Sequence, residues 1–179
     1  MCFNRYQNKL PTNWVIGRVN NIKKNKYMDT IFNIWKTNRT HYFDLFNDFS
    51  VQQLNKVPED FNNNIVWNIG HVIAIQQVLI YKRCGLDMNI SDDFYQLYKS
   101  GSKPERLITA SEIDELKSLL ESTIISTQED YKKGIFKTYD GLTTSTRFEI
   151  NSIDTAFQFN NYHEGLHLGA INGLKNKVR

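Results

Sequence analysis

Apolar side chains recur at helical spacing in four stretches of this chain. Between residues 29 and 49, Ile31, Trp35, Tyr42, Leu45, Phe46 and Phe49 fall three, four and seven positions apart, the stripe of an amphipathic helix. Asp29 is an N-cap type, so the pattern predicts a helix from near Asp29 to just before Ser50. Residues 50–63, with Pro58 and a short apolar turn at Val51 and Leu54, read as a connection. The run Asn62-Asn63-Asn64 then offers caps for a second helix on Ile65, Ile69, Val72, Ile75, Val78 and Leu79, which Gly85 would stop. Its apolar residues occupy more than one face, so it should be well buried.

Residues 86–109 contain Gly101 and Pro104, sustain no period, and read as a long loop with one turn around Phe94–Tyr98. Thr109-Ala110-Ser111-Glu112 matches a capping box. It opens a third helix on Ile113, Leu116, Leu120, Ile124, Thr127 and Tyr131, ended by Gly134. Residues 135–151 are irregular or weakly strand-like at Thr144–Ile150. Ser152 caps a fourth helix carrying Ile153, Phe157, Asn160, His163, His167, Ile171 and Leu174. Four long helices without a convincing sheet predict an all-α four-helix bundle. The second connection is long enough to carry the chain back along a helix of about 30 Å. The expected order is therefore up-down-down-up, with the second and third helices parallel.

At 179 residues, 40% hydrophobic and 23% charged, the chain has the proportions of one soluble domain with its own core. Charge is unevenly spread. Residues 1–27 carry Arg5, Lys9, Arg18, Lys23, Lys24 and Lys26 and no acid, leaving 16 basic against 19 acidic residues in 28–179. The body therefore lacks the charge of a nucleic-acid binder. Residues 1–27 read as a basic, disordered extension or as the product of an early start codon, since Met28 opens the first clear helix. The domain proper is 28–179. No signal-peptide core and no membrane-length apolar run is present. Cys2 and Cys84 are far apart and outside any CxxC pair, which argues against a disulfide framework and for a reducing, cytoplasmic setting.

The candidate chemistry lies in the histidines. His163-Glu164-Gly165-Leu166-His167 sets two imidazoles four residues apart on one helix face, close enough to converge on one ion. Two neutral ligands alone hold a metal weakly. His71 is a third candidate, set among Ile69, Val72 and Ile75, where few side chains can satisfy its ring nitrogens. In an antiparallel pair of helices His71 would stand about 10 Å from one end of the bundle, with His167 and His163 at about 12 and 18 Å. Three histidines leave positions open to water, the pattern of catalytic sites. Imidazole suits zinc or nickel, and iron or manganese is also accepted.

His163–His167 also spells HExxH, the zinc-peptidase motif. Only twelve residues follow His167, with no His, Asp or Glu among them, and Gly173 stands where a longer form would need histidine. Glu164 should then point away from the metal, because one residue turns about 100° around a helix. Of the other candidates, His41 lies off the main stripe and reads as a surface or interface histidine. Trp35 and Trp67 read as core, and Asn160 is placed to orient a ligand or a bound water.

Three features together resemble the DinB/YfiT-like superfamily of small metal-binding bundles. They are Trp67-Asn68-Ile69-Gly70-His71, the loop Gly101-Ser102-Lys103-Pro104, and Tyr162-His163-x-x-x-His167. The resemblance covers about residues 28–176. It implies the up-down-down-up bundle, a divalent metal on His71, His163 and His167, and a homodimer. It further implies a thiol-dependent S-transferase, with a low-molecular-weight thiol and a small electrophile as substrates, or a metal-dependent hydrolase. The alternative is a non-catalytic metal-binding stress-response bundle. Neither membrane nor nucleic acid is an expected partner.

Overall fold

A computed structural model describes the backbone of residues 12–179 and the side chains from Lys26 onward. Four long helices form the bundle: α1 (Thr12–Asp48), α3 (Ile65–Ile80), α5 (Ala110–Lys133) and α6 (Ile153–Val178). Two short helices lie in the connections, α2 (Val51–Asn55) and α4 (Asp92–Tyr98), and a 3-10 turn at Lys82–Cys84 follows α3. A two-stranded antiparallel hairpin, β1 (Leu142–Thr143) with β2 (Glu149–Ile150), precedes α6. No helix is long and apolar enough to cross a membrane among the described residues.

The caps are those the residue types predict. Asn64 accepts from the Trp67 amide, and Thr109–Glu112 closes as a capping box. Ser152 closes another with Thr155. Gly134 ends α5 at φ 67°, a left-handed turn that glycine adopts at little cost.

The start of α1 differs from expectation. The helix does not begin near Asp29 but passes through it from Thr12. Asp29 and Thr30 sit on the exposed face, and the Thr30 hydroxyl donates back to the Lys26 carbonyl at 3.1 Å. Cap-type residues therefore rest inside a helix when their polar groups face water or bond within the turn. Of the expected disordered extension, residues 1–27, the backbone of residues 12–27 is part of α1, and residues 1–11 lie outside the described residues.

Side-chain pairs set the helices against one another. Trp35 stacks on Phe157 at 5.2 Å and Arg39 meets Glu164, so numbers in α1 and α6 climb together. Gln76 donates to Thr127 and Tyr81 to Asp130, so α3 and α5 also climb together. Phe32 meets Tyr131 while Lys117 lies over Phe46, so α1 and α5 run in opposite senses.

The apolar interior divides into two clusters. One gathers Tyr42, Leu45, Ile65, Ile69, Leu116 and Ile171, the other Met28, Phe32, Trp35, Ile80, Ile124 and Phe157. A belt of buried polar residues draws on all four long helices: Arg39, His71, Gln76, Thr123, Thr127, Asn160 and Glu164. That belt carries the histidines.

Candidate metal centre

The second long helix enters the belt through Trp67-Asn68-Ile69-Gly70-His71, and each polar or glycine position has a separate task. Trp67 lies flat on His71, ring centroids 4.6 Å apart and planes 15° apart, and its indole N–H donates to Ser102 Oγ. Gly70 has Tyr98 directly over it: a Cβ there would stand 2.3 Å from the Tyr98 ring. The missing side chain lets α4 close on α3, and the Tyr98 carbonyl reaches His71 Nδ1 at 2.7 Å. A carbonyl can only accept, so His71 is protonated on Nδ1 and keeps its lone pair on Nε2.

Asn68 does the same for His167. Its Nδ2 donates to the Asn64 carbonyl at 2.7 Å, which orients the amide and leaves Oδ1 facing His167 Nδ1 at 2.8 Å. His167 therefore also donates from Nδ1 and holds its Nε2 lone pair free. Asn64 is anchored in turn by donating to the Asn55 carbonyl. His163 has no such brace. Its Nδ1 is buried without a hydrogen-bond partner, the kind of orphaned atom found where a ligand belongs.

The three rings converge. Centroids are 5.3 Å apart for His71–His163, 4.8 Å for His71–His167 and 4.7 Å for His163–His167. One nitrogen from each lies within 4.8 Å of the other two. Ligand nitrogens around a tetrahedral ion at about 2.0–2.1 Å stand roughly 3.4 Å apart, so small side-chain rotations would close the set. His71 and His163, 92 positions apart in sequence, reach this position from α3 and α6, and Asn68 meeting His167 while His71 meets His163 sets those two helices in opposite senses.

Electrostatics keep all three rings neutral. Burial lowers the pKa of His71, opposed only in part by the Tyr98 carbonyl. Burial, then the neighbouring His167, His71 and Arg39, holds His163 well below the usual histidine range. Burial and then His71 bring His167 down to about 4. Near pH 7 the lone pairs are thus free of protons, as metal ligation requires. The donor set fits a divalent ion that accepts imidazole nitrogen.

Glu164, the glutamate of the HExxH string, faces the other way. It is 0% exposed. Its Oε1 accepts from Arg39 Nε at 3.1 Å, Arg39 Nη2 at 2.8 Å and Asn160 Nδ2 at 2.9 Å. Tyr42 donates to the Glu164 carbonyl at 2.6 Å. The carboxylate next to His163 is therefore an anchor pinning α6 to α1, and the peptidase role for it is without support. Burial and the Glu164 charge push the Tyr42 hydroxyl pKa far up, so it remains a donor.

Asn160, expected to orient a ligand or water, is instead bonded to Glu164. His41 is exposed on α1, as its off-stripe position implies. Trp35 is core; Trp67 is core and also the wall behind His71. Sequence reasoning overlooked Arg39, though it falls on the apolar stripe between Trp35 and Tyr42, where a charge calls for a buried partner. Asn68 stood inside the recognised motif without an assigned task. The Tyr98 carbonyl, a backbone group, left no signal of its own.

Comparison with known proteins agrees with this architecture. No curated protein matches the chain. The family model described as DinB superfamily matches residues 34–171, most of the length and all three histidines. A four-helix bundle with a buried cluster of His71, His163 and His167 that could bind metal is thus set in a family frame: the chain belongs to the DinB superfamily.

Proposed function

We propose that His71, His163 and His167 hold one divalent ion, zinc or nickel by preference and iron or manganese as alternatives, and that the centre is catalytic. The carrying observation is the convergence of three neutral imidazoles, two of them with Nδ1–H bonded outward and the lone pair turned inward. Bound there, the ion would supply Lewis acidity, lowering the pKa of a thiol or a water. The reaction class that follows is transfer of a low-molecular-weight thiol to a small electrophile, or hydrolysis. Glu164 is committed to Arg39, so no adjacent carboxylate serves as base, and a thiol acidified by the ion needs none.

The chain's own residues have defined parts. Tyr98 and Asn68 set the ring tautomers, Trp67 shields one face of His71, and the Arg39–Glu164–Tyr42 clamp holds the α6 turn bearing His163. The pairwise directions of the helices support the up-down-down-up order. A reducing cytoplasmic setting suits Cys84, a buried free thiol whose pKa burial raises. Assembly as a homodimer belongs to the same proposal.

Elemental analysis of the purified protein beside His71→Ala, His163→Ala and His167→Ala tests the centre. About one ion per chain, lost in each variant, is expected; full retention in His71→Ala would overturn the three-ligand site. Turnover of electrophiles with thiols, abolished by chelation and restored by the ion, tests catalysis. Inactivity across a broad panel of thiols and esters, together with a large fall in melting temperature on chelation, would favour the non-catalytic metal-binding bundle instead.

A further inference from the structure

Beside the histidines, at the edge of the second core cluster, lies a half-exposed apolar surface. Phe148, Phe159 and Tyr162 pack as a triangle of rings, with centroids 5.5 Å (Phe148–Phe159), 4.8 Å (Phe148–Tyr162) and 5.6 Å (Phe159–Tyr162) apart. Phe159 in turn lies 6.3 Å from the His163 ring, inclined by 30°. Phe148 is 45% exposed and Tyr162 40%, and Leu166, one turn further along α6, is 46% exposed.

The hairpin is bent to deliver Phe148 to this place. Arg147 takes φ 66°, the left-handed region, which costs a non-glycine residue about 1 kcal/mol or more. Thr144 secures the turn: its amide donates to the Phe148 carbonyl at 2.9 Å, and its hydroxyl accepts from the Phe148 amide at 3.0 Å.

Between the hairpin and α6 these rings line a recess of about 250 Å³, completed by Ile150, Gln158 and Glu149. Glu149 is its one charged lining group, and no basic side chain lines it. An anion is therefore unwelcome. An uncharged ring gains from apolar burial and from edge or offset contacts with three aromatic side chains. A cavity of about 150 Å³ suffices for benzene, so the recess has room for one substituted ring and too little for a packed helix.

We propose that this recess binds an uncharged aromatic or comparably flat apolar group of the electrophile, placing its reactive end toward the three histidines. The proposal rests on the metal-centre reading and names the substrate class for it. Phe159 links the two places: it lines the recess and its ring lies 6.3 Å from that of His163.

The test uses the full-length, metal-loaded protein and 19F NMR titration with 4-fluorobenzyl alcohol and its anionic counterpart 4-fluorobenzoate. The neutral probe should bind at least fivefold more tightly than the anion, and Tyr162→Ala and Phe148→Ala should each weaken it at least threefold. Glu149→Lys, a surface change that keeps the rings, should narrow or reverse the preference. Equal affinity for both probes, or no loss in any of the three variants, overturns the inference. Metal content measured on the same samples separates the two readings: metal retained without probe selectivity sinks the recess alone, whereas no metal in the wild type sinks the centre. Light scattering completes the test. A dimer that Tyr162→Ala dissociates, with no probe bound, would assign the patch to an interface and overturn the inference as well.

Discussion

Replacing Glu164 with alanine should unfold much of the protein's stability margin while leaving the three imidazoles chemically intact. The carboxylate is fully buried and Arg39 is 4% exposed, so deletion leaves a guanidinium inside the bundle with no counter-charge. It also removes the acceptor for three donor groups at 2.8–3.1 Å. Breaking a buried pair from one side costs about 3–5 kcal/mol. For a chain of this size each kcal/mol lowers Tm by roughly 2–4 °C, so the expected fall is about 6–20 °C. Against a total stability of about 5–15 kcal/mol this is a large share.

The same geometry makes the double replacement milder. Arg39 Nη1, Glu164 Oε2 and Asn160 Oδ1 find no partner in the structure, so the network is only partly satisfied. Arg39→Met with Glu164→Leu removes both charges and should recover most of the loss, because apolar pairs of similar volume often replace buried ion pairs at little cost. Urea denaturation of the two single variants and the double would supply the coupling energy. A Glu164→Ala loss under about 1 kcal/mol would refute the anchor. So would a variant of wild-type stability that binds metal yet has lost all activity, the signature of a catalytic glutamate.

Asn68→Ala should leave the fold in place but free the His167 ring, lowering metal affinity by about 10–100-fold in a competition titration with a chromophoric chelator; unchanged affinity would show that the Asn64–Asn68 relay is idle. Gly70→Ala forces Tyr98 off α3 and should destabilise by about 1–3 kcal/mol in thermal denaturation, with metal affinity falling too because the Tyr98 carbonyl is displaced from His71. The pH dependence of the metal-free protein follows from His167, at about 4 when folded against about 6.5 unfolded. The unfolded chain binds the extra proton between those values, so this contribution is complete above about pH 6.5. It erodes as pH falls toward 4, by up to about 3 kcal/mol. His167→Gln should flatten that part of the profile, and an unaltered slope between pH 6.5 and 4 would contradict the buried, neutral ring.

Much of this protein is legible in order along the chain, because helix formation is governed by neighbours three and four residues away. The stripes on α3, α5 and α6, the capping boxes at Thr109 and Ser152, and the glycine stop at Gly134 are all local facts. The start of α1 was misread for a related reason. Asp29 has the chemistry of a cap, but a polar residue on a solvent face does not end a helix. Likewise the i, i+4 spacing of His163 and His167 was enough to pair them, and the burial of His71 was enough to demand a partner.

What the one-dimensional pattern determined, then, is four amphipathic helices and three histidines placed so that they are able to meet. Which nitrogen each ring turns inward was decided by groups that carry no periodic signal: the Tyr98 carbonyl, admitted by the bare Cα of Gly70, and the Asn68 amide, oriented by Asn64. The direction of Glu164 was legible from helical rotation alone, whereas its burial against Arg39 was not. Those choices depend on contacts between residues tens to more than a hundred positions apart. Such contacts exist only after the helices have packed, because the desolvation that makes them necessary is a property of the closed bundle and not of any helix by itself.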